Sequence, residues 1–141
     1  MKDRTFRYPA KIENTGDATY ISFRDIPEVL WYATDAEDIQ GQATEALTTA
    51  LSYYFKENRT IPTASRVKKG EIPIDLPLSY VSKIILHNTM LENRVRPADL
   101  ARLLDVPTSE IARVTNPKIK TKIDTMALAV SAAGGHMQLA Q

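Results

Sequence analysis

The chain of 141 residues contains no cysteine and only two histidines, His87 and His136. Without cysteine it can form neither a disulfide nor a thiolate metal site. Neither histidine lies in a metal-ligand or triad pattern, and there is no glycine-rich loop that could cradle a phosphate. The first residues lack the apolar run of a signal peptide, and no stretch has the length of a membrane span. We therefore expect a cytosolic protein with no enzymatic activity, no metal and no cofactor.

Charge is unevenly distributed along the chain, although the formal net charge is only +1. Residues 1–78 carry 10 basic and 12 acidic side chains, a net charge of −2, whereas residues 79–141 carry 8 and 5, a net charge of +3. Four of the latter basic side chains lie in one acid-free run: Arg113, Lys118, Lys120 and Lys122. Positive potential concentrated in this way favours contact with phosphates.

The first half alternates between strand and helix patterns. Period-2 apolar residues predict strands at about residues 6–12, 19–24, 30–33 and 72–76. Pro9 cannot donate a ladder hydrogen bond, so we expect it at an edge or a bulge, and residues 25–28 are expected to break the second strand. Between the third and fourth strands, an apolar stripe from Ile39 to Phe55 predicts a helix, with Thr34 and Glu37 as a capping box.

The second half has helical periodicity throughout. A helix is predicted from Ser79 as its cap to about Asn93, and Thr121 with Asp124 is expected to cap a last helix that Gly134 ends. The first of these helices has a second apolar stripe, which favours contact with another chain. We expect the dimer interface to include that stripe and a last short strand at residues 136–139: Leu86, Met90, Met137 and Leu139.

Residues 97–116 have the pattern of a helix-turn-helix. Two short apolar groups are separated by a break at residues 105–108, and Asp105 occupies the turn position where glycine is most common. Asp tolerates the left-handed backbone region better than most residues. Such a pair commonly places its second helix in a DNA major groove, although two ordinary packed helices would give the same pattern.

The outer face of the second helix and the residues after it are the candidate DNA contacts. Near the start of the helix, side chains can reach base edges, and Arg113 can read guanine or hold a phosphate. Thr108 could instead cap the helix, and Glu110 could simply interact with the helix N-terminus. The lysines suit phosphates. The predicted set is Thr108, Ser109, Glu110, Arg113, Asn116, Lys118, Lys120 and Lys122.

The first half contains more aromatic side chains than so small a core can hold. Exposed aromatic residues mark partner surfaces more often than cofactor sites. The residues assigned to such a surface are Tyr20, Phe23, Trp31 and Tyr32.

The chain as a whole resembles the HicB antitoxins of bacterial HicA–HicB toxin–antitoxin systems. The segments that carry the resemblance are RYPAKI at residue 7, YISFRDIPE at 20, the Ala/Leu-rich helix at 43–55, IDLPLS at 74, DLARLL at 99, EIARV at 110 and TKID at 121. The stretch beginning at Trp31 departs from the family, which often has small polar residues there.

The resemblance implies an α+β protein with two domains. Residues 1–78 would form a partial ribonuclease-H-like β-β-β-α-β domain that binds and sterically covers a small HicA-type mRNA-cleaving toxin. Residues 79–141 would form an all-α helix-turn-helix domain, lambda-repressor-like, that forms a homodimer or higher oligomer and binds double-stranded operator DNA. The protein would then be an autorepressor, associated with the nucleoid when it is on its operator.

Two other functions remain open at this stage. The first half could sense a small molecule for a ligand-responsive transcription regulator, which would need an apolar pocket with convergent polar groups. A nuclease is the third interpretation, and the missing carboxylate cluster disfavours it: the first strand has no acidic residue, and Glu45 and Asp75 do not make a site on their own.

Overall fold

The computed structural model describes residues 6–33 and 38–137. The described residues form four strands and five helices of a mixed α+β fold. In chain order they are β1 (Arg7–Asn14), β2 (Thr19–Phe23), β3 (Ile26–Ala33), α1 (Ile39–Lys56), β4 (Glu71–Asp75), α2 (Leu78–Glu92), α3 (Pro97–Leu104), α4 (Thr108–Thr115) and α5 (Ile123–Ala132).

The chain divides into two compact units. A sheet unit covers Met1–Tyr54 and Pro62–Leu76, and a helical unit covers Phe55–Ile61 and Pro77–Gln141. Within the described residues, no helix is long and apolar enough to cross a membrane.

The sheet unit contains one antiparallel sheet with the strand order β3-β2-β1-β4. Alternation along the strands buries one face, so that Tyr8 and Ala10 of β1, Ile21 of β2 and Ile74 of β4 are all inaccessible to solvent. The apolar stripe of α1 is buried as the sequence predicts, at Ala43, Ala46, Leu47, Leu51 and Tyr54. The residues of the predicted capping box, Thr34 and Glu37, lie outside the described residues.

The third strand begins earlier than the sequence indicated. Residues 26–28 belong to β3, and the connection from β2 is only the turn at Arg24 and Asp25. Pro27 is accommodated because β3 is an edge strand, where a missing N–H breaks no ladder bond. The predicted break after the second strand is therefore confirmed at Asp25, but its extension over residues 26–28 is wrong.

Pro9 lies in an inner strand, which corrects its predicted position at an edge or a bulge. Its partner across the ladder is Pro73 of β4, and because neither residue has an N–H this is a non-hydrogen-bonded pair. On the other side, the pairing of β1 with β2 begins only at Lys11. Pro9 thus occupies a place where no neighbouring strand requires its N–H.

The helical unit has one apolar core, to which α2, α3, α4 and α5 each contribute one face. Its buried members are Leu86, Met90, Leu100, Ala101, Ile111, Val114, Met126, Ala129, Val130 and Ala133. Gly134, with φ of +100°, follows the end of α5 as predicted. Residues 136 and 137 are not in a strand, and the rest of the predicted last strand lies outside the described residues.

Two predicted helix caps are corrected by the structure. Ser79 lies inside α2, whose cap position is held by Pro77. The cap position of α5 is held by Lys122 without a side-chain bond, while the hydroxyl of Thr121 accepts a hydrogen bond from Lys83 Nζ at 2.7 Å. Pro77 marks the start of α2 because a proline disfavours the helical conformation of the residue before it, here Leu76.

The turn between α3 and α4 consists of residues 105–107. Asp105 adopts the left-handed conformation with φ of 56° and ψ of 51°, as expected from its position. Val106 N–H then bonds to the carbonyl oxygen of Ala101 at 3.0 Å, which closes the end of α3. The side chain of Asp99 accepts hydrogen bonds from the backbone N–H of Arg96, at 3.0 Å, and from the side chains of Arg96 and Arg102.

Replacing Asp105 tests the conformation of this turn. We expect Asp105→Gly to raise the free energy of unfolding by up to about 1 kcal/mol, because glycine adopts positive φ without steric cost. Asp105→Val should lower it by about 1–2 kcal/mol, because a β-branched side chain is poorly tolerated there. Urea unfolding measures both free energies. A higher free energy of unfolding for Asp105→Val than for Asp105→Gly would contradict the left-handed conformation assigned to Asp105.

Asp99 provides a test by pH. Hydrogen bonds from the backbone and side chain of Arg96, and then from Arg102, lower the pKa of Asp99 to about 2. Because this pKa lies below the unfolded value of about 3.9, the carboxylate stabilises the fold above about pH 4, and that contribution is lost as the pH falls towards 2. We expect Asp99→Asn to lower the melting temperature at pH 7 and to match the parent chain near pH 2. Asp17→Asn, which changes an exposed turn carboxylate, is the control; an Asp99→Asn deficit that stays constant down to pH 2 would refute the assignment.

Candidate functional site

The outer face of α4 is polar and open to solvent. Ile111 and Val114 bury the inner face of this helix in the core. The period of the helix therefore turns Thr108, Ser109 and Arg113 outwards, and all three are exposed, as are Ala112 and Glu110. Thr108 is the first helical residue and Pro107 holds the cap position, so Thr108 is not the N-cap.

Residues 116–122, which we call the basic segment, connect α4 to α5. Lys118, Lys120 and Lys122 are exposed along it. The amide oxygen of Asn116 accepts a hydrogen bond from the backbone N–H of Lys118 at 2.9 Å, so that Asn116 shapes the turn at the start of the segment. The structure thus places three cations directly after the polar face of α4.

Lys83 of α2 holds both ends of the basic segment. Its Nζ lies 2.7 Å from the carbonyl oxygen of Val114, 3.2 Å from that of Arg113 and 2.7 Å from Thr121 Oγ1. The residue is only 1% exposed. The last carbonyl groups of a helix have no partner within the helix, so Lys83 supplies a donor to the Val114 carbonyl from outside α4.

The electrostatic environment of Lys83 is unusual for a lysine. Burial, and secondly the charge of Arg113, lower the pKa of Lys83 to about 8. At neutral pH the side chain therefore keeps its proton, and each of its three N–H groups has one oxygen acceptor. The acceptors are uncharged, but two of them lie at the negative end of the α4 dipole, which favours a cation.

Lys83 was not singled out from the sequence, although a signal for it exists. It lies three and seven residues before Leu86 and Met90, on the same stripe of α2. Those two residues were assigned to a dimer interface because they form a second apolar face. They are 0% and 7% exposed and belong to the core of the helical unit, so the assignment is corrected. Because Lys83 lies on the same stripe as the buried Leu86 and Met90, it is buried with them.

The predicted dimer interface also includes Met137 and Leu139. Met137 is half-buried and packs on the same core, and Leu139 lies outside the described residues. The exposed large apolar side chains of the helical unit are instead Leu78, Leu103 and Leu128.

The sheet unit carries an aromatic pair on the outer face of its sheet. Tyr20 of β2 is directly opposite Tyr32 of β3, and their rings meet edge to face with centroids 5.5 Å apart. Leu30, two residues before Tyr32, is 73% exposed on the same face, and Tyr32 itself is 57% exposed. Two of the four predicted aromatic residues therefore share an accessible surface.

The other two predicted aromatic residues face the opposite way. Phe23 is 1% exposed and belongs to the core. Trp31 is paired with the buried Ile21, and its Nε1 donates to Gln42 Oε1 of α1 at 3.3 Å. Since successive residues of a strand point to opposite faces, these side chains cannot join Tyr20 and Tyr32 in one patch. The assignment of the buried Phe23 to the partner surface is therefore wrong, whereas the half-buried Trp31 stays a predicted contact outside that patch.

The side chains that could indicate catalysis have structural roles, and the cleft that could indicate ligand binding lies in the helical unit. No group of three or more metal-ligating side chains occurs within residues 6–33 and 38–137. His87 Nε2 donates to the carbonyl oxygen of Arg59 at 2.7 Å, and Asp75 pairs with Arg7 at 3.1 Å. An open cleft beside the α3–α4 turn, lined in part by Arg102 and Val106, belongs to the helical unit rather than to the half in which a ligand sensor was considered.

Comparison with known proteins identifies the family. Residues 7–85 match the family model described as HicB_like antitoxin of bacterial toxin-antitoxin system. The chain is 41% identical over 136 residues to Antitoxin HicB 2 of Photorhabdus laumondii, covering 96% of each chain. It is 36% identical over 134 residues to Antitoxin HicB of Escherichia coli K12, covering 94% of this chain and 97% of that one. These matches confirm the resemblance drawn from the sequence: the chain belongs to the HicB-like antitoxin family of bacterial toxin–antitoxin systems.

Proposed function

We propose that this protein is a non-enzymatic antitoxin that inhibits a HicA-type toxin with its sheet unit and represses its own operon with its helical unit. Relatives named antitoxin HicB, similar over nearly the whole chain, support the first role. The single observation that carries the second role is the exposed polar face of α4, followed directly by three exposed lysines.

For DNA binding, α3 and α4 act as a helix-turn-helix of the lambda-repressor type. Ser109 and Arg113 contact base edges in the major groove, whereas Lys118, Lys120 and Lys122 contact phosphates on either side of it. Thr108 and Glu110 flank the base-reading positions, and Asn116 shapes the turn. The C-terminal unit forms a homodimer that presents two copies of α4 about 34 Å apart. Exposed Leu103 and Leu128 replace Leu86 and Met90 as the proposed apolar contacts between copies.

For toxin inhibition, the outer face of the partial ribonuclease-H-like sheet covers the RNA-binding surface of the toxin. Leu30, Tyr20 and Tyr32 supply an apolar and aromatic contact area, the composition that dominates the energy of protein interfaces. The mechanism is steric, because the antitoxin needs only to occupy the surface that the toxin's RNA would use.

Two equally exposed tyrosines test the toxin surface. Tyr32 on the sheet and Tyr53 on α1 are both 57% exposed. We expect Tyr32→Ala to weaken binding of the toxin encoded beside this gene at least about tenfold, because a central aromatic contact is lost. Tyr53→Ala should change it by less than about twofold. Titration calorimetry of the full chain, together with rescue of growth in co-expression, measures the effect; equal losses from both variants would place the toxin elsewhere.

A charge-matched pair of triple variants tests the DNA contacts. First, selection from random duplexes with the full chain yields a preferred sequence. If each subunit neutralises three or four phosphates, the log of the dimer's affinity for this sequence should fall with the log of the salt concentration with a slope of about −6. Changing Lys118, Lys120 and Lys122 to Ala should make this slope less negative on all sequences, by about 0.9 for each lysine that the dimer loses.

The control changes the exposed Lys56, Lys68 and Lys69 to Ala, which removes the same charge elsewhere. Its slope should equal that of the parent chain. Arg113→Ala or Ser109→Ala should instead relax base choice at particular positions while the sequence-independent affinity changes little. An unchanged slope in the first triple variant would exclude these lysines as phosphate contacts.

A further inference from the structure

We propose that Lys83 is a positioning residue for DNA recognition: its buried ammonium group fixes the end of α4 and the basic segment in one conformation before DNA arrives. This inference rests on the proposed operator binding. Lys83 itself contacts no ligand, since it is 1% exposed and its three contacts are to Arg113, Val114 and Thr121.

The geometry closes the basic segment into a loop. Val114 precedes the segment and Thr121 is its sixth residue, yet an oxygen atom of each lies 2.7 Å from the same nitrogen. Lys118 and Lys120 lie between these two contacts. Their backbone is therefore held at both ends in the free protein, which restricts where the two lysines lie relative to α4.

Pre-organisation of this kind affects specific binding more than non-specific binding. Non-specific attraction to phosphates tolerates a range of lysine positions, because it depends mainly on charge. Base reading requires α4 and its flanking phosphate contacts to engage together, so ordering a loose segment upon binding lowers affinity for the preferred duplex. Loss of Lys83 should thus reduce the ratio of the two affinities.

The experiment compares three variants of the full chain. Lys83→Met keeps an unbranched buried side chain but removes all three donors. Thr121→Val keeps Lys83 and removes one of its acceptors. Lys56→Met, at an exposed position of the same unit, is the control for loss of one positive charge.

Amide hydrogen exchange gives a readout that needs no DNA. In Lys83→Met we expect the amides of residues 115–121 to exchange at least about tenfold faster, while the amides of the buried parts of α2 and α5 remain protected. Thr121→Val should show the same local pattern at smaller amplitude, and Lys56→Met should match the parent chain. Equal acceleration throughout the helical unit would mean that Lys83 supports only global stability, and would overturn the proposal.

Binding to the selected duplex and to a scrambled duplex of equal length gives the second readout. Lys83→Met should lower the ratio of the two affinities about tenfold, comparable to the loss of one base contact. The salt slope on the scrambled duplex should be unchanged, because Lys83 reaches no phosphate. Equal losses on both duplexes, or no loss on either, would overturn the positioning role.

The two proposals fail in distinguishable ways. If the parent chain itself prefers no duplex, operator recognition is refuted, and the exchange pattern still decides whether Lys83 anchors the segment. If Lys83→Met does not fold, Thr121→Val provides both readouts. A Thr121→Val chain with parental exchange in residues 115–121 and a parental affinity ratio would then overturn the inference.

Discussion

The carbonyl groups at the end of α4 impose the constraint around which the helical unit is arranged. The carbonyl oxygen of Val114 is buried where it accepts from Lys83, and a buried carbonyl without a donor is costly. Lys83 of α2 meets this need and also binds Thr121. One side chain therefore joins α2 to the end of α4 and to Thr121, which is 38 positions from Lys83 in the chain.

The helices of this unit all divide their surface between the shared core and the solvent. Each gives one face to the shared core, and α4 keeps its other face polar and open. Because α4 buries only the stripe of Ile111 and Val114, the side chains of its other face stay accessible to solvent. The sheet unit follows the same rule, with one face buried and the aromatic pair Tyr20 and Tyr32 on the other.

Much of the local structure was predictable because it depends on neighbours along the chain. The two short helices around Asp105, the left-handed turn residue and the buried stripe of α1 all follow from spacing and from backbone preferences of single residues. Two of the errors concern groups whose partner is distant in sequence. Pro9 lies in an inner strand because it faces Pro73, and Thr121 is not a cap because Lys83 uses its hydroxyl.

The sequence by itself determined the family, through the segments that resemble HicB antitoxins. It also determined the order of strands and helices and which residues of α4 and the basic segment are polar, since these are properties of periodicity and composition. Only the tertiary structure decided which apolar stripe is surface and which is core. Leu86 and Met90 are apolar in either case, and their burial depends on α3, α4 and α5 packing over them. The same packing removes Lys83 from water, because a side chain's solvent exposure is set by elements distant in sequence as well as by its neighbours in the chain.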